Sequence, residues 1–467
     1  MKISFQSKSR KEMKIHVHLL TRDKSFYRSL ILLAIPVALQ NLITFLVNFA
    51  DNLMIGSLGD AAVSGVFMGN QMQTLLQMLS GGIEGAILIL AAQYWGKRDT
   101  DSIKCIVAVG LQFSLLFGAL LTLTCVLFPT PLMRLFSTTE SVVAAGAEYL
   151  RIVCLSYVFF CVTQALIAAM RSIEVARVGM IVSLISLFCN VGLNYLLIFG
   201  KLGLPALGIR GAAIATVIAR LVEMLVMILY VTKIDRTLRL RPRDLLVSDR
   251  VLRKDFIRNG LPIIGGNVVW SINMMASSAI LGRFSESVTT AVSVANTMNS
   301  LAYVTMNGMS TAVGVITGKT VGAGKTELVK EYARTVQVLF LGLGLLTGGA
   351  VFLLRIPFVG LYGGISPEAM RISMELIAVL AVTIVGTCYQ AACLAGLVKA
   401  GGDIGFVFKN DTIFVFLVVL PSAILAAYLG APAWVVFACL KCDQILKCFV
   451  AVVKINRFDW MKNLTRT

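Results

Sequence analysis

The sequence predicts an all-α membrane protein, with twelve transmembrane helices in two pseudo-symmetric six-helix bundles. Three observations carry that expectation: composition, the spacing of charge-free stretches and an internal repeat. Of 467 residues, 57% are hydrophobic and 14% charged, against roughly 45–50% apolar and about 25% charged in soluble domains. Mean hydropathy is +0.84. This composition argues against a soluble multi-domain enzyme, a disordered chain and a collagen-like one. Twelve helices of about 20 apolar residues or more occupy roughly 240–300 residues. Short loops and two small terminal segments account for the rest.

Charge-free gaps place the elements in order. No Asp, Glu, Lys or Arg lies between Lys104 and Arg134, Arg177 and Lys201, Arg258 and Arg283, or Glu286 and Lys319. The same holds between Arg334 and Arg355 and between Glu375 and Lys399. Each gap is long enough to cross a bilayer. The gap from Asp411 to Lys441 holds two helices, split by LGAPAW with Gly430 and Pro432, a turn signal. The expected helices are α1 29–56, α2 61–95, α3 103–128, α4 139–171, α5 177–200 and α6 210–233. After a basic linker come α7 255–283, α8 287–318, α9 328–354, α10 367–398, α11 404–429 and α12 432–455. The expected divisions are a basic N-terminal segment (1–28), a first bundle (29–233), a linker (234–254), a second bundle (255–456) and a tail (457–467).

The formal net charge of +18 points to oriented loops rather than nucleic acid, because of where it falls. With a cytoplasmic N-terminus, the inner loops hold about 32 of the 42 Lys and Arg and the outer loops about six. That bias satisfies the positive-inside rule and puts both termini in the cytoplasm of a cell (inner) membrane. The N-terminal segment is too long and polar for a signal-peptide n-region, so α1 should be retained. His16 and His18 precede it, without zinc-ligand spacing. The ten cysteines lie in apolar segments. Cys439 and Cys442 form a CxxC inside α12, with no second pair, and read as packing residues.

The halves align at a shift of 226 residues. Pro36 meets Pro262, Gly56 Gly282, Asn70 Asn296, Gly82 Gly308, Gly96 Gly322, Pro131 Pro357, Gln164 Gln390 and Gly179 Gly405. Near the end of each half the shift slips to 221, where KIDR (233–236) meets KINR (454–457). Six helices per half return the chain to its starting side, so the repeats should be parallel, related by a pseudo-two-fold along the membrane normal. Duplicated halves around a central site suit alternating access. GKTVGAGKT (318–326) imitates a phosphate loop, but five residues separate Gly318 from Gly324 and no strand precedes it. It lacks the Walker A spacing and context.

Ionisable residues in a bilayer are functional candidates by default. Asp51 lies about five residues before the end of α1, roughly 8 Å below the outer boundary. Asn190 and Asn194 share one face of α5 at i,i+4 spacing. Thr216 on α6 lies at similar depth. A carboxylate, two amides and a hydroxyl suit Na⁺ or a proton. In the second half Asp51 aligns with Ser277, Asn190 with Phe416 and Asn194 with Leu420, so the cluster belongs to the first half alone. Glu84, in the inner third of α2, is the secondary candidate. Arg220 with Glu223, and Asp443 with Lys447, read as intrahelical pairs near the inner surface. Pro36 and Pro262 interrupt α1 and α7 at matching places, and a kink in α1 would move Asp51. Phe45, Phe67, Met68, Met72, Met274, Met275 and Met306 are candidates for lining a cavity for flat apolar cations.

The segments QNLITFLVNFADNLMIGSLG, AAQYWGKRD and NVGLNYLLIFGKLGLPALGIRGAAIAT, with the doubled six-helix plan, resemble the multidrug and toxic compound extrusion (MATE) family. The resemblance spans about 29–456. It implies a V-shaped pair of bundles that exports organic cations, driven by inward Na⁺ or H⁺, with no cofactor. It carries the family's first-bundle cation site onto Asp51, Asn190, Asn194 and Thr216. Other members hold acids in helices 7, 8 or 10. Here α7 shows Asn267 and Trp270, α8 has no carboxylate and mid-α10 shows Cys388. The expected function is therefore a secondary antiporter, monomeric, for small amphipathic, cationic substrates and without nucleic acid. Two alternatives stand beside it: a lipid-linked oligosaccharide flippase of the same superfamily and an intramembrane enzyme. Few lysines or arginines lie mid-membrane, which weakens the first. No membrane histidine and no paired aspartates at one depth appear, which weakens the second.

Overall fold

A computed structural model describes residues 20–136, 139–241, 243–244, 249–362 and 365–466. His16, His18 and most of the basic N-terminal segment lie outside the described residues. The observed helices are α1 Lys24–Gly56, α2 Asp60–Gly96, α3 Thr100–Leu127, α4 Glu140–Val153 with Ser156–Ser172, α5 Arg177–Phe199 and α6 Ile209–Leu229. The second set is α7 Arg250–Leu281, α8 Glu286–Gly322, α9 Thr326–Gly360, α10 Pro367–Gln390 continuing to Lys399, α11 Ile404–Tyr428 and α12 Ala433–Lys441 with Asp443–Arg457. Among the described residues, nine helices are individually long and apolar enough to cross a membrane, and the two pieces of α4, bent by 52°, make a tenth. The other two of the expected twelve are α8, diluted by Asn296, Asn299, Ser300 and Asn307, and α12, broken at Cys442.

Local chemistry explains where the boundaries moved. Asp23 caps α1, its Oδ1 accepting from the Ser25 amide at 2.8 Å, so the helix begins before residue 29. Asp249 does the same for α7 through the Val251 amide at 2.7 Å. A carboxylate at this position satisfies an otherwise orphaned helical N–H. The segments PLMRLF (131–136) and PFVGLY (357–362), which the 226-residue shift aligns at Pro131 and Pro357, also differ. Pro129 starts a separate short helix, Pro129–Arg134, whereas Arg355 stands at its repeat position and α9 runs through to Gly360.

The repeat is visible as paired close approaches. A Cβ on Gly82 of α2 would sit 2.9 Å from the Ile264 Cα of α7. A Cβ on Gly308 of α8 would sit 2.8 Å from the Ala38 nitrogen of α1. Ala38 and Ile264 are themselves repeat partners. At the membrane face that carries both described chain ends, the terminal face, Gly96 and Gly322 let α2 and α8 touch backbone to backbone. A Cβ on Gly96 would meet the Ala323 nitrogen, and one on Gly322 the Gln93 Cα, each at 2.7 Å.

Four apolar clusters form the core, two per bundle, and α1 and α7 pass between bundles. Phe26, Leu30, Leu33 and Val37 of α1 pack with α8, α9 and α10, while Ile55 packs with α2 and α4. Conversely, Leu252, Phe256 and Ile263 of α7 pack with α2 and α3, while Leu281 packs with α8. The crossover falls near Pro36 and Pro262. Neither proline breaks its helix, so each is a point where one backbone hydrogen bond is missing within a continuous span. The tail closes the terminal face. Trp460 is fully buried, the Leu464 amide donates to Gln93 Oε1 at 2.7 Å, and Arg466 grips Asp255 at 2.7 and 2.8 Å.

Candidate functional site

Three helices bring the expected polar group together. Asn190 and Asn194 are buried on one face of α5, and Thr216 faces them from α6. Asn194 Nδ2 donates to Asp51 Oδ1 and to Asn190 Oδ1, the latter at 3.2 Å. That leaves Asn194 Oδ1 buried with no hydrogen-bond partner. Thr216 Oγ1 donates to the Ala212 carbonyl at 3.0 Å, so its lone pairs remain free. A lone buried amide oxygen is expensive unless something outside the protein completes it.

Asp51, Asn190 and Thr216 open onto a cavity of about 280 Å³, walled also by Asn48, Tyr149, Arg220 and Glu223. Arg220 Nη1 donates to Glu223 Oε2 at 2.7 Å and its guanidinium lies 5.0 Å from the Phe160 ring centre. The intrahelical pair forms as expected. Its expected place near the inner surface is corrected: both residues line the same cavity as Asp51. Helical periodicity explains this, because Thr216 and Arg220 are four residues apart on one face. Tyr149 was also missed; it enters from α4 and its hydroxyl donates to Asn70 Oδ1 at 3.2 Å. With Asp51 and Glu223 against Arg220, the ionisable lining carries one more negative than positive group.

A second cavity, of about 650 Å³, lies between the bundles and within the second one. Phe45, Trp270, Tyr303 and Met274 line it, together with Asp411, Lys441, Asp443 and Lys447. Lys447 Nζ bridges Asp411 and Asp443, 2.9 Å from each. Asp443 further accepts from Gln444 at 3.1 and 3.2 Å, and Gln390 donates to Gln444. The expected two-residue pair is therefore a triad, and it faces a cavity rather than the inner surface. Asp411 comes from α11, a partner that spacing within α12 does not reveal.

The model of the MatE family matches residues 36–196 and 262–430, one block in each half. The chain belongs to the MatE family. Family members are membrane transporters, and the chain's multi-span helical architecture is that of a membrane protein. Among relatives of this MatE chain, the probable multidrug resistance protein YoeA of Bacillus subtilis is 27% identical over 348 residues, covering 72% of this chain and 73% of YoeA. The probable multidrug resistance protein NorM of Thermotoga maritima is 26% identical and covers 74% of each chain. The crystal structure of the Vibrio cholerae MATE transporter VcmN in its bent form superposes with a TM-score of 0.83 at 18% identity, covering 93% of this chain and 97% of VcmN. That likeness extends the MatE assignment to the fold of nearly the whole chain.

Other expected residues lie elsewhere in this MatE fold. Glu84 is outside both cavities; it accepts from Ser80 at 3.1 Å and faces Arg171 at longer range than a direct ion pair. Arg171 donates to Gln40 Oε1 at 2.7 Å. Phe67 lines the first cavity, and Phe45 and Met274 the second, whereas Met72 and Met306 are core residues and Met275 is exposed. The glycine-rich segment closes α8 and turns at Gly324, with φ +73°. Among the described residues no group of three His, Cys, Asp or Glu could hold a metal ion.

Proposed function

We propose that the chain is a secondary antiporter that exports organic cations or drugs in exchange for Na⁺ or H⁺ by alternating access. It sits in the cell membrane as a monomer with both termini cytoplasmic, and its halves divide as 29–233 and 255–456. Family membership supports transport, and the names of the relatives support multidrug export. The observation that carries the ion-coupling part is Asp51 held by Asn194, with the Asn194 Oδ1 acceptor beside it unsatisfied. A cation supplies what that oxygen lacks. Asp51, Asn190, Asn194 and Thr216 are its binding residues, and Glu84 and Arg171 form a separate group nearer the terminal face.

Coupling requires the ion to favour one conformation over another. Asp51 is on α1, whose terminal half packs on the second bundle and whose far half packs on α5 of the first. Neutralising Asp51 relaxes its hold on Asn194 and frees the far half to move about Pro36. Dye efflux from proteoliposomes under separately imposed Na⁺ and H⁺ gradients tests the proposal. One gradient should drive efflux in the unaltered chain and neither in Asp51→Asn. Uphill dye transport by purified Asp51→Asn at the unaltered rate would refute it.

A further inference from the structure

We propose that the first bundle contains a proton exit path of its own, running from Asp51 to Glu84 and on to the terminal face, apart from the cavity between the bundles. The proposal rests on the antiporter reading above and assigns the proton as its coupling ion. Three helices carry polar stripes towards the terminal face. On α1 the stripe is Asp51, Asn48, Thr44 and Gln40. On α2 it is Gln73, Gln77, Ser80 and Glu84, and on α5 Asn190, Ser186, Ser183 and Gly179. Steps of three and four residues keep each set on one helix face. The lining of the first cavity, which holds Asp51, reaches Thr44, Gln77 and Ser183 on these stripes. Glu84 lies roughly 10 Å beyond Gln77 along α2, towards the terminal face. Ionisable residues at membrane depth face a bundle interior or water and mark ion and proton routes.

The far end of the stripes suits a proton and not a metal cation. Glu84 Oε1 accepts from Ser80 Oγ at 3.1 Å. Arg171 of α4 donates to Gln40 Oε1 at 2.7 Å, and its Nε is buried without a partner. Gly179 admits this contact, because a Cβ there would sit 2.5 Å from the same Gln40 oxygen. The three stripes thus converge on one polar group. Arg171 and Cys161, both of α4, are the titratable groups that face Glu84 among the described residues. Hard cations take about six oxygens or more. Here one would meet a guanidinium and find a carboxylate, a hydroxyl and an amide oxygen already in use. A proton needs one acceptor within hydrogen-bond reach, directly or through water. In the transfer the Asp51 O–H bond breaks and a Glu84 O–H bond forms. Asp51 is left as a carboxylate, and Glu84 then loses the proton to water at the terminal face. Seryl hydroxyls, and water held by the amides, carry the proton between the two acids. Gly82 and Gly85 turn another side of α2 to Ile264 and Ile263 of α7, so the route stays inside the first bundle. At the 226-residue shift Glu84 aligns with Ser310, Ser80 with Met306, Gln40 with Gly266 and Arg171 with Leu397. The second half keeps the scaffold without this group, as it does without Asp51.

Proteoliposomes holding the purified full chain test this through one ratio, H⁺-driven dye efflux over gradient-free dye exchange, in which folding and dye binding cancel. Glu84→Gln keeps the shape and the acceptor for Ser80 but takes up no proton, and its ratio should fall at least about tenfold. Glu84→Asp packs worse but keeps the carboxylate, so its ratio should fall less. A purely structural role gives the reverse order. Gln77→Leu, midway along the path, should also lower the ratio, and it decides if the Glu84 variants do not fold. An unchanged ratio in Glu84→Gln, or a lower one in Glu84→Asp than in Glu84→Gln, would overturn the proposal, as would an unchanged ratio in Gln77→Leu. Efflux driven by Na⁺ alone in the unaltered chain would overturn it and leave the antiporter reading intact. Efflux driven by neither gradient would refute that reading and this path with it.

Discussion

At the scale of single residues, burial turns ordinary side chains into commitments. Asp51 is the only carboxylate among the four residues of the proposed cation site, so its charge and its geometry can be separated. Asp51→Asn keeps size and hydrogen-bonding capacity and should abolish ion-driven dye efflux in proteoliposomes. Ser277→Ala, at the repeat position, should be mild, because Ser277 Oγ is spent on the Asn273 carbonyl of its own helix at 2.6 Å. Lys447 makes a different prediction. Lys447→Met leaves Asp411 and Asp443 facing each other without the cation that bridges them. Breaking a buried ionic group in this way costs about 3–5 kcal/mol. A markedly lower thermal unfolding midpoint of the purified protein is the expected result, partly restored in Lys447→Met with Asp411→Asn. Asp51, Asn190, Asn194 and Thr216 were legible in the sequence because helix periodicity and depth alone place them. Arg220 was legible as a pair with Glu223, but its share in the cavity needed the rotation of α6 against α1 and α4.

At the scale of elements, the glycines of α2 and α8 set how closely the bundles meet. Gly96 and Gly322 lie against backbone, which cannot move aside as a side-chain tip can. Gly322→Val should therefore force α2 and α8 apart near the terminal face. Overpacking typically costs about 1–3 kcal/mol, so the thermal midpoint should fall. Gly56→Ala is the matched control, since nothing lies within 4 Å of its added Cβ. The 226-residue offset was readable in the sequence, and so were the helices, because charges punctuate them. The bend in α4 and the break in α12 were not, because neither is marked by proline or glycine at its break. Leu155 and Cys442 stand there instead.

At the scale of the whole molecule, the terminal face is held shut by the tail and by the helix ends. Asp403, in the turn between α10 and α11, anchors both Lys462 at 2.7 Å and Lys454 at 2.9 Å. Burial works to raise its pKa, but the two lysines outweigh it and hold the carboxyl below its ordinary value. The stability it contributes is present above the unfolded carboxyl pKa, about 3.9, and is lost as pH falls through the lower folded value. Tail protection from protease should therefore fail only below about pH 4. Asp403→Asn should loosen the tail at neutral pH and remove that dependence. The orientation has its own check. A cysteine placed at 57–60 should label from outside intact cells, and one at 318–334 should label only after permeabilisation. The reverse pattern would invert the proposed topology.

The sequence by itself determined the membrane class, the number and order of spans, the parallel repeat and the first-half polar cluster. Each of these is local or periodic, set by apolar length, charge placement or a fixed offset. Tertiary structure alone decided that α1 and α7 cross between bundles, that Arg220 shares a cavity with Asp51 and that Asp411 completes a triad with Lys447 and Asp443. These depend on how helices rotate and pack against one another. That arrangement is governed by close approaches such as Gly82 on Ile264 and Gly308 on Ala38, between residues well over a hundred positions apart, which no window along the chain contains.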